Sequence, residues 1–151
     1  MAQSFFKGNR EYFPGFGKIQ YEGKSSHNPL AFKIYDENKL VGGKSMKDHL
    51  RFATCFWHTF HYNGADPFGP GTHEFPWHEK ADPMDRAKDR LDAAFELFTK
   101  IGTPFYSFHD RDIAPEGSSV LDSEKKLMTI CEMAKERQKA TGMKLLWGTA
   151  N

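Results

Sequence analysis

Phe105-Tyr106-Ser107-Phe108-His109-Asp110-Arg111-Asp112 is the stretch whose reading decides the fold. Its first half is short, aromatic and bounded upstream by Gly102 and Pro104, the signature of a strand, which runs into the polar His109-Asp110-Arg111-Asp112. Working upstream, Asp82 can N-cap a helix that has Pro83 at its first position and Asp85 on its N-terminal dipole. Ala87, Leu91, Ala94, Phe95 and Phe98 form one stripe of that helix, which Gly102 and Pro104 close. Downstream, a second helix is expected from about Ser123. Leu127, Ile130, Cys131 and Ala134 lie on its buried face, Lys135 to Lys139 are exposed, and Gly142 is its C-terminal cap. Lys144-Leu145-Leu146-Trp147 then reads as another short strand.

The segment before the first helix is harder. In Arg51-Phe52-Ala53-Thr54-Cys55-Phe56-Trp57-His58-Thr59-Phe60 the residues Ala53, Trp57 and Phe60, with Leu50, would line a helical face. Aromatic and β-branched content and the break at Gly64 favour a buried strand. Strand, helix, strand, helix, strand is the order of a parallel α/β sheet, whose chemistry gathers at the carboxyl ends of the strands. That rule singles out Trp57-His58, His109 to Asp112, and Trp147-Gly148-Thr149.

Outside this frame, residues 1–44 are rich in Gly, Pro, Asn and Lys without a sustained period, and read as an extended N-terminal arm wrapped on something else. Lys18-Ile19-Gln20-Tyr21 is its one strand-like piece, and Ser45 with Asp48 marks the capped start of a short helix. Ala65 to Lys80, with Pro67-Phe68-Gly69-Pro70, is a long ordered loop of the kind that is functional or packed on a partner.

Composition narrows the classes. The chain has 151 residues, 38% hydrophobic and 15% aromatic, which is enough for a packed core and excludes a disordered or collagen-like chain. Twenty-one basic against 20 acidic residues, intermixed, give a net charge of +1 and no field that would gather nucleic acid or a membrane surface. Cys55 and Cys131 read as buried thiols of a reducing compartment. With no apolar leader and no run near the ~20 apolar residues of a membrane span, a cytoplasmic location is expected. No Walker loop, GxGxxG, GxSxG or CxxC is present, so nucleotide and thiol chemistries have no support.

The candidate chemistry centres on His109. A histidine at a strand end exchanges protons near neutral pH, and a carboxylate two or three residues on can fold back to fix its tautomer, with Arg111 available to neutralise or hold the aspartates. The same spacing also suits a surface turn with an incidental ion pair. Trp57 and Trp147 offer flat faces for the C–H face of a sugar, or simply fill the core. His58 with His61, and His73 and His78 near Glu74 and Glu79, are the histidine pairs a metal would use, but neither has a fourth ligand at a recognised spacing.

Several motifs in order resemble a known family. Phe56-Trp57-His58-Thr59-Phe60, Gly64-Ala65-Asp66-Pro67-Phe68-Gly69, Phe108-His109-Asp110-Arg111-Asp112-Ile113-Ala114-Pro115-Glu116-Gly117 and Lys144-Leu145-Leu146-Trp147-Gly148-Thr149-Ala150-Asn151 resemble the N-terminal part of xylose isomerase, of the group with a long N-terminal arm. Asn28-Pro29-Leu30-Ala31-Phe32 and Met46-Lys47-Asp48-His49-Leu50 fit as well. The resemblance implies a TIM (β/α)8 barrel of which residues 45–151 are about the first three β/α units, preceded by the arm at 1–44. It implies His109 as the catalytic histidine that opens the sugar ring, with Asp112 orienting it. Trp57, Trp147 and Thr149 would line the substrate pocket, and Phe68 would reach into a neighbouring subunit's site. The implied reaction interconverts D-xylose and D-xylulose, and D-glucose and D-fructose, by a hydride shift assisted by two Mg²⁺ ions, with Mn²⁺ or Co²⁺ possible, in a homotetramer.

The family's metal ligands lie on later strands and have no counterpart here. The expectation is therefore a truncated N-terminal portion, inactive alone because the Lewis acid that polarises the substrate oxygens has no site. Three strands and two long helices are also too few for a barrel of ~250 residues. Two other readings stay open: another metal-dependent barrel acting on sugars or sugar phosphates, and a non-catalytic sugar-binding or assembly module.

Overall fold

The structure, a computed structural model, describes residues 5–150. Residues 1–4 of the expected arm and Asn151 of the last motif lie outside the described residues. Among the described residues no helix or strand occurs before Leu40. A small antiparallel hairpin follows, β1 (Leu40–Val41) with β2 (Lys44–Ser45), and then α1 (Met46–His49). Ser45 precedes α1 as expected, but its hydroxyl bonds the Asp48 side chain and caps no backbone N–H. Lys18 to Tyr21 is not a strand. Tyr21 makes a single bridge to Phe32, while Ile19 N–H bonds the Lys100 carbonyl, so the segment is spent on two different neighbours and no ladder develops.

The main sheet has three parallel strands in the order β3-β4-β5: β3 (Ala53–Cys55), β4 (Phe105–His109) and β5 (Lys144–Thr149). Between them come α2 (Pro83–Ile101), the short α3 (Asp110–Ile113) that continues from β4, and α4 (Val120–Thr141). Alternation of strands and helices is thus as the sequence suggested. The buried strand expected over 51–60 is much shorter: after Cys55 the chain winds into a π-helical turn, Trp57–His61. The reason is visible in Phe56 and Phe60, both fully buried with ring centroids 5.4 Å apart, an approach that a helical turn gives to residues four apart and that a strand rising ~3.3 Å per residue does not.

The two long helices obey local rules. Asp82 Oδ1 accepts from Asp85 N–H at 2.9 Å, Pro83 opens α2, and Gly102 at φ 78° closes it in the left-handed region that favours glycine. Helix α4 starts three residues earlier than expected, because Ser119 supplies its hydroxyl to Asp122 N–H. Its Lys135 to Lys139 segment is not uniformly exposed. Arg137 is half-buried and bonds Asp92, and the Gln138 amide donates to the Tyr106 hydroxyl at 2.6 Å. Cys55 and Cys131 are only half-buried, since β3 lies at a sheet edge and Cys131 at the rim of the α4 face.

The core lies where α2 meets the sheet and the π turn. Phe56, Phe60, Phe95, Phe98, Tyr106 and Phe108 form a continuous ring cluster, with Phe98 stacked on Tyr106 at 5.6 Å. Burying aromatic faces of this size supplies most of the driving force and fixes the strand ends that carry the polar residues.

Candidate active site

All three strands run parallel, so their carboxyl ends come together, and there the structure gathers Trp57, His109 and Trp147. Ring centroids are 4.7 Å apart for Trp57 and His109, 5.5 Å for the two tryptophans, and 5.8 Å for His109 and Trp147. Trp57 is set on the π turn just beyond β3. Trp147 is aimed by a bulge: Tyr106 pairs with Leu145 but Ser107 pairs with Trp147, leaving Leu146 as the extra residue. Without it Trp147 would fall on the opposite face of the pleat. With it, Ser107, His109, Trp147 and Thr149 share one face, His109 and Thr149 being direct neighbours in the register. Gly148 completes the arrangement, because a Cβ there would lie 2.9 Å from Phe108 Cζ.

His109 Nδ1 lies 2.9 Å from Asp112 Oδ2, and the same oxygen accepts the His109 backbone N–H at 2.8 Å. One buried carboxylate thus holds both the start of α3 and the imidazole. An ionised carboxylate only accepts hydrogen bonds, so Nδ1 carries the proton and the lone pair of neutral His109 is at Nε2. The site is open: the His109 side chain keeps 28% of its surface and Trp147 is 42% exposed. Arg111 pairs through Nη2 with Glu116 at 3.0 Å, a partner its spacing from the aspartates did not suggest.

Other candidate residues disperse. Phe68 is 96% exposed at the tip of the 65–80 loop, where Asp66 Oδ1 accepts from the backbone of Phe68 and Gly69. The segment expected to be loop throughout winds into a short 3-10 helix at Pro76–Glu79, opened by its proline, and there His78 Nδ1 lies 3.2 Å from Glu74. His61 bonds Arg90 on α2 at 3.1 Å. Among the described residues no three His, Cys, Asp or Glu side chains converge as a metal ion would require. The residues present do not make a site for divalent cations. A separate apolar cavity of about 480 Å³ lies at the opposite end of the sheet, lined by Phe32, Tyr35, Phe52, Ala53 and Thr103, and includes none of the candidate site residues.

Sequence reasoning missed two contributors. Ser107 is buried on the His109 face, a position that follows from strand parity once the β4 boundary is known. Arg90 approaches from α2, and nothing local announces a contact between residues so far apart in sequence. Burial pulls its guanidinium down to about 10, and the carboxylate acting against that pull is Asp112.

No family model matches the chain. Individual proteins do. Xylose isomerase 1 of Xanthomonas campestris pv. campestris (strain 8004) is 56% identical over 151 residues, all of this chain and 34% of that protein. Xylose isomerase of Xanthomonas oryzae pv. oryzae (strain MAFF 311018) is 53% identical over the same 151 residues, again 34% of its length. Xylose isomerase 1 of Xanthomonas axonopodis pv. citri (strain 306) is 54% identical over 144 residues, covering 95% of this chain and 33% of the relative. Along its whole length the chain is thus similar to xylose isomerases, and it spans about a third of the length of the curated relatives it matches.

Proposed function

We propose that this chain forms about the first three β/α units of a TIM-barrel xylose isomerase, preceded by an N-terminal arm, and supplies the part of the active site that binds the sugar and opens its ring. The observation that carries the reading is the His109–Asp112 hydrogen bond at 2.9 Å, set between two tryptophan rings at the carboxyl ends of parallel strands. Trp57 and Trp147 take the C–H faces of D-xylose or D-glucose, and Thr149 lies on the same face as His109. His109 Nε2 takes the proton from the anomeric hydroxyl and returns it to the ring oxygen. As this happens the C1–O5 bond breaks and the C1 carbonyl forms, while Asp112 stabilises the transient imidazolium.

The two divalent cations expected from the resemblance would be held by residues other than these. Phe68, exposed at its loop tip, would reach into the site of a neighbouring subunit in a homotetramer. No helix among the described residues is long and apolar enough to cross a membrane, and we assign the protein to the cytoplasm. The test is mutarotation of freshly dissolved α-D-xylose followed by polarimetry. The chain should accelerate it and His109→Ala should abolish the acceleration, whereas equal rates with and without the imidazole would overturn the assignment. An isomerase assay of the 151-residue chain with Mg²⁺ or Co²⁺ should give no turnover, and clear production of D-xylulose would contradict the division of labour proposed here.

A further inference from the structure

Asn63 and Gly64 stand where the π turn passes into the exposed loop that follows it, and the ring-opening chemistry uses neither. Asn63 is exposed, yet its side chain is held in place. Its Oδ1 accepts the Ala65 N–H at 3.1 Å, and its amide packs where a Cβ on Gly71 would otherwise stand. The Tyr62 hydroxyl braces the same turn by donating to the Ala65 carbonyl at 2.8 Å. Gly64, between the acceptor and the donor of this Asx turn, has φ 86°, in the left-handed region that glycine takes without strain. Its N–H has no hydrogen-bond partner among the described residues, and no side chain screens it. The Asn63 main-chain carbonyl accepts the His73 N–H at 3.1 Å and so closes the loop whose tip bears Phe68.

From this geometry we propose that Asn63–Gly64 is a covalent modification site, at which the folded chain deamidates spontaneously to aspartate and isoaspartate. The nucleophile is the Gly64 nitrogen, unshielded and free of any competing hydrogen bond, and the electrophile is Asn63 Cγ, held in one orientation by the turn. The Ala65 N–H already points at Oδ1, where negative charge develops as the ring closes, and stabilises it as an oxyanion donor does. Solvent base takes the Gly64 amide proton as the nitrogen bonds to Cγ. The Cγ–Nδ2 bond then breaks, and the amide leaves as ammonia from a cyclic imide. Water reopens the imide with no change of oxidation state. Attack at Cγ gives aspartate with the original main chain, whereas attack at the main-chain carbonyl gives isoaspartate, whose backbone runs through the former side chain and gains a methylene. In isoaspartate the carbonyl that accepts from His73 becomes a carboxylate, so the modification alters the tie that closes the loop. Only its consequence for Phe68 and a neighbouring subunit rests on the isomerase reading; the chemistry at Asn63 does not.

The experiment incubates the full 151-residue chain at mildly alkaline pH, both native and in urea, and follows each asparagine by peptide mapping in a mass spectrometer, with isoaspartate counted by enzymatic methylation and folding checked by circular dichroism. In the native chain Asn63 should convert at least as fast as in urea, and several-fold faster than Asn9, Asn28 or Asn38. Ala65→Pro, which removes the N–H that polarises Oδ1, should slow the native conversion several-fold and leave the rate in urea nearly unchanged. Conversion several-fold slower in the folded chain than in urea would show that the fold protects Asn63, and would overturn the proposal. So would a folded Ala65→Pro that converts as fast as the unsubstituted chain. Should Ala65→Pro not fold, the comparison of native and unfolded rates in the unsubstituted chain decides alone. Neither result bears on mutarotation dependent on His109, so the isomerase reading stands or falls separately.

Discussion

At the residue scale the site depends on two kinds of contact that differ in how far the sequence announces them. His109 and Asp112 are three residues apart, and so short a span can be read from spacing alone; the hydrogen bond between them is where that spacing put it. Trp147 is another matter, because its side of the sheet is set by the bulge at Leu146, and periodicity cannot locate one extra residue in a six-residue strand. Gly148 lets that bulge close against Phe108. Gly148→Ala should therefore cost about 1–3 kcal/mol through overpacking, read as a lower urea midpoint, and should change the fluorescence of the neighbouring Trp147. A substitution with neither effect would mean that Phe108 yields freely. A smaller test lies on the other face of β4. Tyr106→Phe removes the hydroxyl that accepts from Gln138 at 2.6 Å, and should cost about 1 kcal/mol in the same denaturation assay without altering the tryptophan signal.

At the element scale α2 carries the most information and also hides the most. Its caps, its proline and its apolar stripe are local features, and the helix runs from Pro83 to Ile101 as they suggest. Its opposite side holds Asp92, Glu96 and Lys100, residue types that a helical reading assigns to solvent, yet all three are buried. Residues 5–13 lie across them. Glu96 accepts the backbone N–H groups of Tyr12 at 2.7 Å and Phe13 at 3.0 Å, and Lys100 Nζ reaches Glu11 and Glu96, each at 2.9 Å. The rings of Phe5 and Phe16 sit 4.2 and 4.7 Å from the same ammonium. Apart from Lys100–Glu96, these pairings link residues more than 80 positions apart, which is why composition could suggest a wrapped segment without naming what it wraps. Lys100→Met leaves the buried Glu96 carboxylate without its counter-charge and should cost about 3–5 kcal/mol by urea denaturation. The double variant with Glu96→Gln should recover part of that loss, and additivity of the two effects would contradict the coupling. Acid should act on the same contact. Lys100 holds Glu11 below the usual glutamate value, so its contribution is present above the unfolded value and is lost as pH falls through the lower folded one. Protease nicking within residues 5–16 should increase on acidification below about pH 4, and in Lys100→Met it should already be high at neutral pH.

At the scale of the whole molecule the decisive feature is a parallel sheet that, among the described residues, has three strands and two unpaired edges. Parallel strands are ordinarily covered on both faces, and an exposed apolar edge is a template for further pairing. Along β5 every residue is exposed, with Leu145 at 41%, Leu146 at 54% and Trp147 at 42%, and Phe52 beside β3 is 49% exposed. A net charge of +1 offers little repulsion between copies to oppose association through such edges. The order of strands and helices was legible because each element is defined by its own residues; what lies beside the outer strands is a property of their partners, on which these residues are silent. In the 151-residue chain this exposed apolar strand can meet another copy. Light scattering of the purified chain should therefore rise steeply with concentration, and Leu146→Lys, which puts a charge on the β5 edge without touching the core, should suppress the rise several-fold. If Leu146→Lys scatters as strongly as the unsubstituted chain, association runs through another surface.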